Sequence, residues 1–358
     1  MEASFWKNKS VLITGHTGFK GSWLSLWLQS KEASVIGYAF PPPTEPSFFK
    51  IGNISEGMIS IMGDVRDLEH LKTVITKYQP EIAIHMAAQS LVRYSYGNPV
   101  ETYSTNIMGT VNLLEAVRQT SSVKVILIIT SDKCYENKEW LYGYRENDRM
   151  GGHDPYSSSK GCAELITSAY RSSYFSKKDF QNHGVTVASA RAGNVIGGGD
   201  WATDRLIPDI MNAIIQKRPV VIRNPNAIRP WQHVLEPLEG YLCLVEKLWE
   251  HGSAYAEGWN FGPNDEDCKP VSWIVTNLTR LWTTNIEWKL DTGENPHEAA
   301  YLKLDCSKAK TRLGWSPKLN LNTAIELVVE WYEEFLRKSD MRKFSENQIL
   351  RYENMEVS

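Results

Sequence analysis

A short apolar run, Val11-Leu12-Ile13, leads almost directly into Gly15-His16-Thr17-Gly18-Phe19-Lys20-Gly21. A strand that turns at once into a helix needs glycines there, because side chains would block both the turn and the close approach of a phosphate. The helix that follows offers unpaired N–H groups and the positive end of its dipole to the same loop. The pattern predicts a strand–turn–helix unit that cradles the pyrophosphate of a dinucleotide, with Gly15, His16, Thr17, Gly18, Phe19, Lys20 and Gly21 forming the cradle.

Similar β-branched runs recur at Val35–Gly37, Met58–Met62, Ile82–His85, Val123–Ile129 and Val185–Ala190, each separated from the next by a helix-length segment. Strands alternating with helices mean βαβ units and a parallel sheet. The fold class expected is α/β, a doubly wound parallel sheet with a smaller mixed α/β C-terminal lobe. Such sheets bind ligands beyond the carboxyl ends of their strands, and polar residues collect there: Asp64 and Val65 after the third run, Ala87-Ala88-Gln89 after the fourth, Thr130-Ser131-Asp132-Lys133 after the fifth. With 358 residues there is room for one large α/β domain and a second lobe. Residues 1–190 are read as the dinucleotide-binding domain, 191–340 as mainly a substrate-binding lobe with some chain returning to the sheet, and 341–358 as a polar tail, a last helix that frays.

Tyr156 and Lys160 lie four apart in Tyr156-Ser157-Ser158-Ser159-Lys160 and so share a helix face. An ammonium beside a phenol lowers the phenol's pKa from about 10 toward neutrality. A tyrosinate can then take a hydroxyl proton while hydride leaves the same carbon for NAD; an interfacial Tyr with a surface Lys is the plain alternative. In the fifth cluster, Ser131 is read as a donor to a substrate oxygen, Asp132 as a general acid and Lys133 as a base, or else the string is a capped turn. Tyr135 in the same loop is an aromatic at the ligand-binding edge. Asp64 is placed either to meet an adenine amino group or to cap the helix that follows. The second strand ends in Tyr38-Ala39-Phe40, without the acidic residue that holds the ribose of NAD. Arg191, Asn194, Arg205, Arg223 and Arg229 are candidates for a diphosphate, and Trp201 and Trp231 for a base, although with 13 tryptophans most are core.

A formal net charge of −3 and no long Lys/Arg run argue against a nucleic-acid surface. The five cysteines are odd in number, far apart and without metal-ligand spacing, which predicts free thiols, a reducing cytoplasm and no metal site. Met1 to Lys7 lack the form of a signal peptide, and no stretch approaches about 18 uninterrupted apolar residues.

These motifs, with Asn106-Ile107-Met108-Gly109-Thr110, Arg191-Ala192-Gly193-Asn194-Val195, Arg229-Pro230-Trp231-Gln232-His233-Val234 and Leu302-Lys303-Leu304-Asp305, make the chain resemble the extended short-chain dehydrogenase/reductases from about Lys9 to Trp315, and within them the nucleotide-sugar 4,6-dehydratases. Gly15 to Leu24, Ser131 to Tyr135 and Gly198-Gly199-Asp200-Trp201-Ala202 are similar to members acting on CDP-D-glucose. Relatives acting on dTDP-glucose usually carry Thr-Asp-Glu where this chain has Ser131-Asp132-Lys133. The resemblance implies a Rossmann-type fold and NAD as cofactor, with Asp64, Val65, Ala87, Ala88, Gln89, Asn106, Tyr156 and Lys160 joining the glycine loop around it. It implies substrate contacts from Arg191, Asn194, Trp201, Arg205, Arg229 and Tyr301, and a homodimer or homotetramer. The implied reaction oxidises C4 through Tyr156 and Ser131, eliminates water across C5 and C6 through Lys133 and Asp132, and returns hydride to C6. Its product is CDP-4-keto-6-deoxy-D-glucose, a precursor of 3,6-dideoxyhexoses of surface polysaccharide. A nucleotide-sugar 4-epimerase would share the glycine loop and Tyr156/Lys160 but needs no acid and base at Asp132 and Lys133. A non-catalytic dinucleotide-sensing regulator would need neither Tyr156 nor Lys160.

Overall fold

The computed structural model describes residues 3–282, 287–293 and 299–356. Its sheet is built from β1 (Ser10–Thr14), β2 (Ser34–Ala39), β3 (Ile59–Met62), β4 (Ile82–His85), β5 (Val125–Ile129), β6 (Thr186–Ala192) and β7 (Gly258–Phe261), in the spatial order β3-β2-β1-β4-β5-β6-β7. Every pairing is parallel. The first six match the apolar runs of the sequence to within two residues. β7, Gly-Trp-Asn-Phe, has no β-branched residue to announce it, yet it completes the edge beside β6.

Successive strand residues point to opposite faces, and both faces here are covered, so the strands are apolar throughout. Val11 and Ile13 of β1, Ile82 and Ile84 of β4, and Val125, Leu127 and Ile129 of β5 enter one core. Leu12, Ala83, Ile126 and Ile128 enter the other. Helix α1 (Phe19–Ser30) follows β1 and buries Trp23, Leu24 and Trp27 in the first core. The second core takes Leu113, Leu114 and Val117 from α2 (Gly109–Arg118), while Ile166 and Tyr170 of α3 (Pro155–Ser173) pack against it. A proline in the first turn and the Asp154 carboxylate, which accepts from Ser157 N at 2.9 Å, start α3. On the first face lie also α4 (Leu235–His251), α5 (Leu321–Leu336) and α6 (Met341–Glu353).

Beyond β6 the regular alternation gives way to short strand pairs: Val195–Ile196 with Gln232–His233, Ile228–Pro230 with Cys268–Pro270, and Val220–Ile222 with Trp288–Leu290. With the helices Leu206–Ile215 and Val271–Leu281 they make the smaller mixed lobe. The five cysteines are free. No described helix is long and apolar enough to cross a membrane.

The stretch read as a polar, fraying tail is the docked helix α6, which buries Met341, Ser345, Gln348, Ile349 and Tyr352. Its polar composition belongs to one face only. The Tyr352 hydroxyl donates to Glu236 at 3.1 Å and Glu239 at 2.9 Å, all three side chains being buried. Burial pushes the Glu236 carboxyl up to about 8, against hydrogen bonds from Leu319 N and Tyr352. Tyr352→Phe leaves two buried carboxyls without that donor and is expected to cost about 1–3 kcal/mol. The check is a lower urea midpoint with an unchanged slope.

Candidate active site

At the end of β1 the backbone of Gly15 takes φ +79°, and a Cβ there would stand 2.7 Å from the Ala87 nitrogen. A Cβ on Gly21 would come within 2.1 Å of the Gly15 carbonyl oxygen. Both positions therefore demand glycine, and the turn is as tight as the sequence requires. Gly18 begins α1 with no side chain capping it and no acidic residue in the first turn, so the first N–H groups are left for a ligand. The turn and the uncapped helix end fit the pyrophosphate of NAD.

The side chains between the glycines do other work. His16 is fully buried, its Nε2 2.8 Å from Ser60 Oγ, beneath Gly37, where a Cβ would meet its ring at 2.3 Å. Burial pulls its imidazole down to about 4, so it stays neutral. Thr17 donates to the Phe40 carbonyl at 2.8 Å, Phe19 packs on the first core, and Lys20 Nζ donates to Tyr241 Oη at 3.0 Å. The cradle is thus made of backbone, and His16, Thr17 and Lys20 fasten it to β3, the end of β2 and α4.

Asp64 is not the helix cap; Asp67 is. Its carboxylate accepts from Arg66 Nε at 2.8 Å and Arg66 N at 2.9 Å, which leaves it at the strand ends already paired. Val65 is a core residue whose carbonyl accepts from Asn112 at 3.0 Å. Ala87 and its neighbours Ala88 and Gln89 leave β4 beside the glycine turn, and Ala87 N donates to Thr14 Oγ1 at 3.3 Å. Asn106, expected at the cofactor, spends its amide on protein: it accepts from Gln89 N at 2.8 Å and donates to Gln89 O at 2.9 Å and Ser159 Oγ at 2.8 Å. It ties the loop after β4 to α3.

β5 ends in the second half of the site. Ser131 caps the turn Asp132–Cys134, accepting from Lys133 N at 3.2 Å, and donates to Asp132 Oδ1 at 2.8 Å. The capped turn and the chemical cluster are therefore the same object. Asp132 is 2% exposed, and its Oδ2 has no hydrogen-bond partner in the protein. Burial pushes its carboxyl up, with Lys133, Ser131 and Arg229 opposing. Tyr156 and Lys160 share the face of α3 that meets this turn, and Ser131 favours ionisation of the Tyr156 phenol.

The expected fall of the Tyr156 pKa is reversed in the free protein. Burial raises it to about 12, with Ser131 and Arg205 pulling against that. Burial also lowers Lys160 to about 8, and its ammonium donates to the Ile129 carbonyl at 3.4 Å.

Several expected substrate contacts are structural. Arg191 is buried, paired with Glu164 at 2.8 Å and donating to Tyr135 Oη at 2.6 Å and Glu146 O at 3.0 Å. Tyr135 itself is buried and stacked on Tyr144, not exposed at the site's edge. Trp201 packs in an aromatic cluster with Trp331, Tyr332 and Phe335, and Trp231 Nε1 donates to Lys269 O at 2.9 Å. Arg229 is buried and donates to the carbonyls of Ile228 and Ala299, with its charge reaching Asp132. Tyr301 pairs through its backbone with Ile228 and donates its hydroxyl to Leu141 O at 3.0 Å. Asn194 lies half-buried just past β6. Arg205 acts electrostatically on Tyr156, favouring its ionised form.

The model of the GDP-mannose 4,6 dehydratase family matches residues 12–328. The chain belongs to that family. Within the GDP-mannose 4,6 dehydratase family, it is 54% identical to the CDP-glucose 4,6-dehydratase of Salmonella typhimurium over 98% of each chain. The fold is also that of dTDP-glucose 4,6-dehydratase from Bacillus anthracis in complex with NAD (TM-score 0.75, 22% identity, 92% of this chain and 98% of that one). It is equally that of the Thermus thermophilus UDP-glucose 4-epimerase complex with NAD (TM-score 0.76, 22% identity, 89% and 97%). Dehydratase and epimerase folds are superposable, so the residues at the strand ends have to carry the distinction.

Ser90, Tyr241 and Glu164, which the sequence reading passed over, and Asp200, which it quoted only within Gly198-Gly199-Asp200-Trp201-Ala202, all touch this site or its supports. No local pattern marks Ser90, Tyr241 or Glu164, since their partners are distant in sequence; only the four-residue step from Tyr156 through Lys160 to Glu164 was there to be read. Arg191→Met leaves Glu164 buried beside Thr130 and Ser189 without its cation, with an expected cost of about 3–5 kcal/mol in denaturant unfolding. Wild-type stability with weakened substrate binding would restore the substrate role for Arg191.

Proposed function

We propose that this protein converts CDP-D-glucose to CDP-4-keto-6-deoxy-D-glucose and water, as a hydro-lyase that regenerates its NAD. The observation that carries the reaction class is a buried carboxyl with one unpartnered oxygen, Asp132, set between an amine at Lys133 and a hydroxyl at Ser131 on the turn that α3 packs against. The choice of CDP rests on the 54% identity to a CDP-glucose 4,6-dehydratase.

NAD, when bound, accepts hydride from sugar C4 and later delivers it to C6. Tyr156 takes the C4 hydroxyl proton, and Ser131 steadies that oxygen. The new ketone acidifies C5, whose proton Lys133 removes; Asp132, whose burial strengthens its hold on a proton, supplies the proton with which the C6 hydroxyl leaves as water, and C5 is reprotonated once hydride has reached C6. C5 is useless to a base before C4 is a ketone, so Tyr156 must act before Lys133 and Asp132. Among the substrate candidates, Arg205 acts through its charge on Tyr156, and Asn194 lies half-buried just past β6. Residues 1–190 serve the dinucleotide and the lobe after 191 the sugar nucleotide, in the cytoplasm, as an early step toward deoxysugars of surface polysaccharide. Two copies pair through α3 and the helix of Asn106 to Glu115, on which Met108 is 48% and Leu165 is 60% exposed; Leu165→Asp is expected to shift light-scattering mass to the monomer.

CDP-glucose deuterated at C4 tests the reading. The expected product is lighter by one water and carries the label at C6, whereas label retained at C4 of a galactose product would mean epimerisation. Tyr156→Phe is expected to abolish turnover while NAD binding stays measurable; near-normal activity would refute the proton-transfer role. Asp132→Asn is expected to slow water loss more than C4 oxidation, seen as 4-keto-glucose accumulating in rapid quench.

A further inference from the structure

Tyr156 is the second residue of α3, in the turn where a helix supplies no partner for its own N–H groups. Two of those groups find different acceptors. The N–H of Ser157 goes to Asp154, the cap of the same helix, at 2.9 Å. The N–H of Tyr156 leaves α3 altogether and donates at 3.2 Å to Ser95 Oγ, on the short helix Val92–Gly97. Ser95 is fully buried, and its one hydroxyl hydrogen is spent on the Val92 carbonyl at 2.6 Å, so towards Tyr156 it can only accept.

The carbonyl of Tyr156 is held as well. It accepts from Ser159 Oγ at 2.7 Å, and Ser159 Oγ in turn accepts from Asn106 Nδ2 at 2.8 Å. Asn106 carries this arm on to both backbone groups of Gln89. Ser159 and Asn106 are both buried. The two arms therefore end in one stretch of chain, Ala87 to Val92, which leaves β4 against the glycine turn. They act on the backbone of Tyr156 and not on its ring. What they fix is the start of the turn from which the phenol projects and which brings Lys160 to the same face.

We propose that Ser95 and Ser159 are positioning residues, which hold the Tyr156 backbone from both sides and so register its phenol on the loop after β4. The inference rests on the proton transfer proposed for Tyr156 and goes beyond it. A base must stand within hydrogen-bond reach of the proton it takes, and a misplacement of about 1 Å costs up to roughly a hundredfold in rate. The grip on the sugar nucleotide does not depend on that distance, so the loss falls on kcat and not on KM.

Ser159→Ala puts the best helix former at an interior helix position and is expected to fold. Its kcat on CDP-glucose is expected to fall about tenfold with KM held within about twofold, and Ser95→Ala is expected to do the same. The double variant falls short of the product of the two losses, because both arms hold one residue. Thr167→Val is the control: it deletes another buried hydroxyl of α3, one that donates to Ala163 O at 2.7 Å, and is expected to keep the wild-type kcat. Carbon-13 tyrosine NMR of the NAD complex without sugar gives a second reading whatever the substrate proves to be. The Tyr156 resonance, identified by its absence from Tyr156→Phe, is expected to move in Ser95→Ala and Ser159→Ala and to stay in Thr167→Val. A resonance unmoved in both serine variants, a kcat equal to that of Thr167→Val, or a loss confined to KM overturns the proposal. A wild type inactive on CDP-glucose sinks only the functional reading and leaves the NMR comparison to decide.

Discussion

Glu164 lies on the sheet side of α3 with both carboxylate oxygens occupied, one by Thr130 at the end of β5 and the other by Ser189 and Arg191 of β6. Tyr156, Lys160 and Glu164 follow one another at steps of four, so they form one stripe along the helix. Fixing the third member fixes the rotation of α3 and therefore the direction of the other two. Burial disfavours the Glu164 charge, and the Arg191 cation and three hydrogen bonds outweigh it, so the carboxyl is held below its ordinary range. Such a pair adds little net stability, but removing half of it is severe. What it gives is orientation.

Desolvation dominates the electrostatics that follow from this placement. Tyr156, Asp132, Lys160 and Lys20 each move in the direction that favours their neutral forms. Burial thus makes the acids of this site hold their protons more strongly and the amines hold theirs less strongly. Asp132 gains from that as a proton donor, whereas Tyr156, as a base, works against it.

The sequence made the local part of this structure legible. The glycine turn, six strands and the stripe on α3 are short-range patterns, with periods of two or four and a turn that only glycine permits. What stayed hidden depends on partners far along the chain. Arg191 reads the same whether its carboxylate is Glu164 or a ligand's phosphate. Trp201 reads the same whether it stacks on a base or on Trp331. β7 lacks the β-branched residues by which strands are recognised, and takes its conformation from the exposed edge of β6. In the free protein the Tyr156 phenol departs from the expected fall for a physical reason: spacing gives proximity to a lysine but not the depth at which both are buried.

The docked helix α6 has a consequence for the order of events in the making of the molecule. Trp27 of α1 donates to Glu353, and Lys31 pairs with the same carboxylate, while Arg342 reaches Gln29. Trp27 and Glu353 are 326 residues apart. This early helix therefore waits through the synthesis of nearly everything else before its outer face is covered, with an indole and apolar neighbours unshielded meanwhile. Contacts of such long range slow folding and expose intermediates to aggregation. The dinucleotide half, which looks self-contained when its strands are counted, is finished only by the last helix.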